Sequence, residues 1–96
     1  MVGGTDTLSL KLKNSMTLKD AAAFYDQARL VLEDSNTDSV WIDAVANEVI
    51  ELPILQILVC VVREAKAKGK KLVWDNPSIA LFERSVELGL DGALEL

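Results

Sequence analysis

The sequence predicts an α/β fold in which a small, mostly parallel sheet has helices packed on it. Segments typical of strands and helices alternate along the chain in the order β-α-β-α-β-α, with short connections. This order favours parallel strands joined by right-handed helical crossovers. The 96 residues, of which 50% are hydrophobic, are enough for one compact core. We therefore expect a single domain over residues 7–96, preceded by a flexible N-terminus of residues 1–6.

The first strand and the first helix are predicted in the N-terminal half. Residues 7–13 (TLSLKLK) alternate apolar and polar side chains, as a half-buried edge strand does. Residues 14–34 indicate a helix, with Thr17 and Asp20 spaced as an N-terminal cap. Its apolar stripe is predicted to comprise Leu18, Ala21, Ala22, Tyr25, Ala28 and Leu32.

A central strand and a second helix follow. Residues 40–46 (VWIDAVA) are rich in apolar and β-prone side chains, which predicts a central strand covered on both faces. The next helix is predicted from Pro53 to about Lys68, because proline is tolerated in a first helical turn. Gly69 then supplies its end.

A third strand and a third helix complete the pattern. Residues 70–75 (KKLVWD) predict a short strand, on which Trp74 is expected to be a core or sheet-face residue, as is Trp41 on the central strand. Residues 76–90 predict a helix with Pro77 in its first turn. Its apolar stripe comprises Ile79, Phe82 and Val86.

Composition argues against several classes of protein. The net charge of −5, with basic residues grouped only at KAKGKK, argues against nucleic-acid binding. The chain has no histidine, so the commonest general base and metal ligand are both missing. We therefore expect no enzymatic activity, no metal and no other cofactor. Cys60, the one cysteine, lies in an apolar run and is expected to be a buried thiol.

Nothing in the sequence predicts membrane insertion. The longest apolar run, residues 54–62, is interrupted by Gln56 and is too short to span a bilayer. Residues 1–7 are polar and lack the apolar core of a signal peptide. We therefore expect a cytoplasmic protein.

Residues 43–90 carry motifs whose joint spacing resembles a STAS domain, the fold of bacterial anti-sigma factor antagonists. Asp43 and Glu51 keep the eight-residue spacing between the strand acid and the acid that opens the family's Asp-Ser-Ser-Gly loop. The helix, the basic segment ending in glycine, the strand and the Pro-Ser loop follow without a gap, and Gly89 with Leu90 closes the pattern. The resemblance implies a STAS-like fold.

The loop before the second helix departs from that family. Members carry a serine or threonine there, which a partner kinase phosphorylates, whereas this chain has Leu52. No Ser, Thr or Tyr lies between Ser39 and Ser78 that could replace it. We therefore expect no phosphoacceptor at this site and no phosphorylation switch.

The second helix and its preceding loop are predicted to bind a protein partner. The helix is apolar nearly all round, and a helix of a sheet-covering layer is hard to bury completely. The resemblance to STAS domains implies that partner proteins bind at this helix and its preceding loop. The predicted contact residues are Glu51, Leu52, Pro53, Gln56, Val59, Arg63, Asn76 and Ser78.

The residues leave three questions open at this site. Glu51 either stabilises the start of the helix through its dipole or contacts a basic partner residue. Leu52 either fills the core or stands at the surface. Asn76 or Ser78 caps the last helix.

The expected function is that of a non-catalytic protein–protein interaction module in bacterial signalling. The chain is most similar to small stand-alone STAS proteins encoded beside chemotaxis components, and a homodimer is a further expectation. The alternatives are a STAS subunit of a lipid-transport ATP-binding cassette complex, which usually keeps a threonine at the site, and a STAS domain that binds a small ligand.

Overall fold

The computed structural model of the protein describes residues 6–96. The predicted flexible N-terminus therefore lies outside the described residues except for Asp6, which begins the first strand. Within these residues the strands are β1 (Asp6–Lys11), β2 (Ser15–Met16), β3 (Thr37–Asp43), β4 (Val49–Ile50) and β5 (Lys71–Asp75). The helices are α1 (Ala21–Glu33), α2 (Leu52–Ala67), α3 (Ile79–Glu87) and α4 (Asp91–Leu94), and a short 3-10 helix, Leu18–Asp20, precedes α1.

The predicted α/β fold is confirmed, with a parallel sheet in the order β1-β3-β5 and helices packed against it. Because the strand order advances in one direction, right-handed crossovers bring α1 and α2 to the same face, where the two helices contact each other. The core lies between that face and the helices. Its fully buried large side chains include Leu10, Leu12, Val40, Ile42, Ile54, Leu55, Leu58, Val61, Leu81 and Leu94.

The expectation that the central strand is covered on both faces is wrong. Val40 and Ile42 point into the core and are fully buried, whereas Trp41 on the opposite face is 38% exposed. Its neighbours across the ladder are Ser9, which is exposed, and Val73, which is half-buried. Among the described side chains, that face of the sheet therefore has no helical layer burying it.

The first crossover begins differently from the prediction. Residues 15–16 form β2, which pairs in parallel with β4 beyond the carboxyl ends of β1 and β3, so α1 begins only at Ala21. The predicted stripe is partly wrong: Leu18, Ala22 and Tyr25 are exposed. The buried residues of α1 are Phe24, Ala28, Val31 and Leu32.

The C-terminal elements also differ in detail. Gly69 ends α2 as predicted, with the left-handed φ of +70° that glycine tolerates. Helix α3 begins at Ile79, so Pro77 lies before it rather than in its first turn. The short helix α4 was not predicted. It packs against α2, and its Leu94 carbonyl accepts a hydrogen bond from the Trp74 indole N–H at 2.8 Å.

Candidate partner-binding site

The predicted partner-binding residues lie on the connections that leave the carboxyl ends of β3 and β5, and on the outer side of α2. Parallel strands place their carboxyl ends at one edge of a sheet. The β3–α2 connection, residues 44–51, therefore leaves the same edge as the β5–α3 connection, residues 76–78.

Asn47 holds the backbone of the β3–α2 connection. Its side chain is 1% exposed, and its Nδ2 donates to the carbonyl oxygens of Lys13 at 2.8 Å and Val49 at 3.0 Å. The backbone N–H groups of Glu48 and Val49 also donate to the carbonyl of Asn14. Because both acceptors are carbonyls, the amide orientation is determined. Its buried Oδ1 has no hydrogen-bond partner within residues 6–96.

Asn47 is not among the residues predicted from the sequence. Asparagine is common in loops because its side chain bonds nearby backbone. Here one of its two acceptors, the carbonyl of Lys13, is 34 residues away, so the local sequence pattern does not predict that contact.

The β3–α2 connection presents apolar side chains to solvent. Val45 is 61% exposed, Val49 is 50% exposed and Leu52 is 40% exposed. The open question about Leu52 is thereby settled, because its side chain stands at the surface in the first position of α2. Pro53 follows it in the first turn and is half-buried. Val45 and Val49 thus project from a backbone that Asn47 holds in place, and Leu52 projects from the first turn of α2.

Glu51 lies at the start of α2, where its interaction with the helix dipole and its contact with a basic partner residue both stay predictions. It occupies the N-cap position of α2, but its side chain makes no capping hydrogen bond there. Instead, its Oε1 accepts from the backbone N–H of Leu18 at 2.6 Å, at the start of the 3-10 helix. Its own backbone N–H donates to the carbonyl of Met16 at 2.9 Å. Glu51 therefore joins the starts of the two crossovers.

Asp20 completes that junction. Its carboxylate accepts from the Lys13 ammonium and from the Thr17 backbone N–H, both at 2.8 Å. These hydrogen bonds, that from Lys13 foremost, lower the pKa of Asp20 from 3.8 to about 2. The predicted pairing of Thr17 with Asp20 is therefore present, although it starts the 3-10 helix that leads into α1.

The outer side of α2 is more polar than expected. Gln56 and Arg63 are exposed, but Val59 is half-buried and packs against the core. Helices α1 and α4 and strand β5 all contact α2, which accounts for its wide apolar surface. The expectation of a buried Cys60 is wrong, because its thiol is exposed. It lines a groove of about 320 Å³ between α1 and α2, together with side chains such as Tyr25.

Asn76 and Ser78 shape the turn into α3. The Ser78 Oγ accepts from the Leu81 backbone N–H at 3.0 Å, so Ser78 is the N-cap. Asn76 has a left-handed φ of +52°, which asparagine adopts more readily than most residues. Its Nδ2 donates to Oδ1 of Asp75 at 3.3 Å.

The structure brings the body of α3, rather than this turn, beside Glu51. A cleft of about 440 Å³ separates β4 from α3. It is lined by Glu48, Val49, Ile50, Glu51, Ala80, Glu83, Arg84 and Glu87. Four carboxylates face one guanidinium, and that guanidinium pairs with Glu87 at 3.6 Å. The cleft is therefore acidic.

Comparison with known proteins gives no family assignment. No protein-family model matches this chain, and no curated protein is significantly similar to it. Within residues 6–96, no cluster of three or more acidic or cysteine side chains is arranged to hold a metal ion. None of the helices in that part of the chain has the length and apolar content needed to cross a bilayer.

Proposed function

We propose that this protein is a non-catalytic interaction module of bacterial signalling, a STAS-like adaptor without the phosphorylation switch. Its closest functional analogues in this proposal are the small cytoplasmic STAS proteins encoded beside chemotaxis components. The observation that carries the proposal is a set of exposed aliphatic side chains: Val45 and Val49 on the hydrogen-bonded β3–α2 connection, and Leu52 at the first position of α2.

A rigid loop with exposed aliphatic side chains suits protein binding for two physical reasons. Burial of apolar surface contributes roughly 25 cal/mol per Å², which makes such side chains useful contact groups. Ordering a loop during association opposes binding, so a loop that is already held loses less. Asn47 and the pairing of β2 with β4 hold this loop before any partner arrives.

The identity of residue 52 supports a constitutive contact rather than a switch. Leucine has no hydroxyl group, so phosphate cannot be attached to it. The neighbouring acid, Glu51, is already bonded to the backbone of Leu18. The affinity of an aliphatic contact at this position therefore cannot be changed by phosphorylation of residue 52.

We propose a non-catalytic protein because of the side-chain types that the chain and its β4–α3 cleft contain. The chain has no histidine, and the acidic side chains of the β4–α3 cleft have only Arg84 as a basic neighbour there. General acid–base catalysis near neutral pH usually relies on histidine or on groups with strongly shifted pKa values. Among the described residues, the ionisable groups that line the cleft are the carboxylates of Glu48, Glu51, Glu83 and Glu87 and the guanidinium of Arg84.

The proposal is tested by site-specific photo-crosslinking in the cells that produce the protein. A crosslinking amino acid replaces Leu52, and the matched control replaces Leu30, which is 71% exposed on α1. We expect a specific protein adduct from position 52 and none from position 30. The captured protein is then purified, and its affinity is measured for the wild type, Leu52→Ser and Leu30→Ser.

Leu52→Ser is expected to weaken that affinity about tenfold, equivalent to roughly 1.4 kcal/mol, and Leu30→Ser is expected to leave it unchanged. Equal adducts from both positions, or equal affinities of both variants, would contradict the proposed face. Phosphate found by mass spectrometry within residues 49–58 would contradict the absence of a switch.

A further inference from the structure

Helix α3 carries its large apolar side chains on the outside. Ile79, Phe82 and Val86 follow the spacing of one helical stripe, and they are 77%, 45% and 48% exposed. The buried residues of α3 are Leu81 and Ser85, and the Ser85 hydroxyl donates to the Leu81 carbonyl at 2.8 Å. The amphipathic pattern predicted from sequence is therefore real, but its apolar stripe faces solvent. Contiguous exposed apolar surface marks interaction sites.

One long edge of this stripe is acidic. A residue advances by about 100° around a helix, which places Glu83 and then Glu87 along the same side of the stripe. Both line the cleft toward β4, where Glu48 and Glu51 lie opposite them. Within residues 6–96, Glu83 has no ion-pair partner, and Glu87 shares the one basic side chain of the cleft, Arg84.

We propose that the α3 stripe docks a basic amphipathic helix of a partner protein. Apolar side chains of that helix, spaced three and four residues apart, pack on Ile79, Phe82 and Val86, as in other helix-in-groove complexes. Its lysine or arginine side chains lie along the edge formed by Glu83 and Glu87. Charge complementarity of this kind steers association and excludes acidic competitors.

A second copy of this chain fits the stripe less well. In a two-fold antiparallel pair of α3 helices, the same edge of each helix meets the other. Glu83 and Glu87 of both copies would then lie side by side, between two molecules that each carry a net charge of −5. The inference does not rest on the proposed function, because it concerns α3 rather than the β3–α2 connection.

The test uses synthetic peptides and the full chain. The probe is a fluorescein-labelled amphipathic helix with leucines on one face and lysines beside them, and the comparison peptide has glutamates in place of the lysines. Binding is followed by fluorescence anisotropy. We expect the lysine peptide to bind at least tenfold more tightly than the glutamate peptide.

Variants locate the site. Ile79→Ser is expected to weaken binding of the lysine peptide about tenfold, and the matched control Leu30→Ser is expected to leave it unchanged. The double variant Glu83→Lys with Glu87→Lys is expected to reverse the preference between the two peptides. Circular dichroism establishes that each variant is folded, and all four substituted residues are exposed.

Three results would overturn the inference. The first is equal affinity for both peptides, or no binding of the lysine peptide by the wild type. The second is unchanged binding by Ile79→Ser. The third is a wild-type dimer in sedimentation equilibrium that Ile79→Ser dissociates, because a second copy would then cover the stripe. None of these results bears on the crosslinks from position 52.

Discussion

At the residue scale, two polar side chains, Glu51 and Asn47, tie the start of the first crossover to the start of the second, and Asp20 forms hydrogen bonds within the first. Asp20 accepts hydrogen bonds from Thr17 and Lys13, Glu51 accepts one from Leu18, and Asn47 donates to Lys13. The first of these contacts spans three residues and was predicted from the Thr-x-x-Asp spacing. The Glu51 and Asn47 contacts span 33 and 34 residues, so no local sequence pattern predicts them.

Asp20→Asn is expected to reduce stability in a pH-dependent way. The pKa of Asp20 is about 2 in the folded protein, below the ordinary 3.8, so its ionised form favours folding. That contribution is fully present above about pH 4 and is lost as the pH falls toward 2. The difference in unfolding free energy between wild type and variant should therefore shrink over this interval. Urea denaturation measured at intervals of pH tests this.

The matched control is Asp26→Asn, on the exposed side of α1. This variant leaves the hydrogen bonds of Asp20 in place, so it controls for the loss of a carboxylate elsewhere on the surface. A difference for Asp20→Asn that does not shrink between about pH 4 and about pH 2 would show that these hydrogen bonds do not stabilise the ionised Asp20 in solution.

At the scale of elements, the order of helices and strands was predictable from the sequence, but the face of each element that is buried was not. Periodicity shows that α3 is amphipathic, but the same stripe can face a core or a partner. In the structure α4 and β4 contact α3, and the buried residues of α3 are Leu81 and Ser85 rather than the apolar stripe. The predicted start of α1 was wrong for a related reason. Residues 15–16 form a strand because they pair with β4, which is distant in the sequence.

Ser78→Ala is expected to destabilise the protein by about 1 kcal/mol, within a range of about 0.5–2 for lost N-caps. The reason is the loss of the acceptor for the Leu81 backbone N–H, now bonded at 3.0 Å. Chemical denaturation gives the change in unfolding free energy. Ser35→Ala, at an exposed turn position, is the control and should change it by less than about 0.5 kcal/mol. Equal effects would mean that the cap contributes nothing.

At the scale of the whole molecule, strand order decides what the sheet leaves open. Alternating strands and helices predicted the α/β class, but they do not distinguish the order β1-β3-β5 from orders that put helices on both faces. The apolar content of residues 40–46 (VWIDAVA) suggested a strand buried on both faces. In the structure part of that content faces outward: Trp41 lies on the open face of the sheet, and Val45 belongs to the proposed contact face together with Val49 and Leu52.

Leu58→Ala is expected to destabilise the protein by about 2–5 kcal/mol, because it leaves a cavity among close-packed side chains. Leu58 is fully buried near the middle of α2, where it contributes to the only helical layer seen over the described sheet. Thermal and urea unfolding measure the loss.

Leu30→Ala is the control, since Leu30 is 71% exposed and should change stability by about 0.5 kcal/mol or less. Similar losses for both leucines would contradict the assignment of the core to one face of the sheet.

The two tryptophans are separated by the sheet itself. Trp74 pairs in register with buried Ile42, and Trp41 pairs with Val73 on the opposite face. The chain therefore carries two native fluorophores with different surroundings. Trp74 is hydrogen-bonded to the carbonyl of Leu94, so its emission reports detachment of α4. Trp41 is partly exposed to water, so its emission reports binding at the open face of the sheet. A collisional quencher in solution reaches the second more readily than the first, so each side of the molecule can be followed by its own emission.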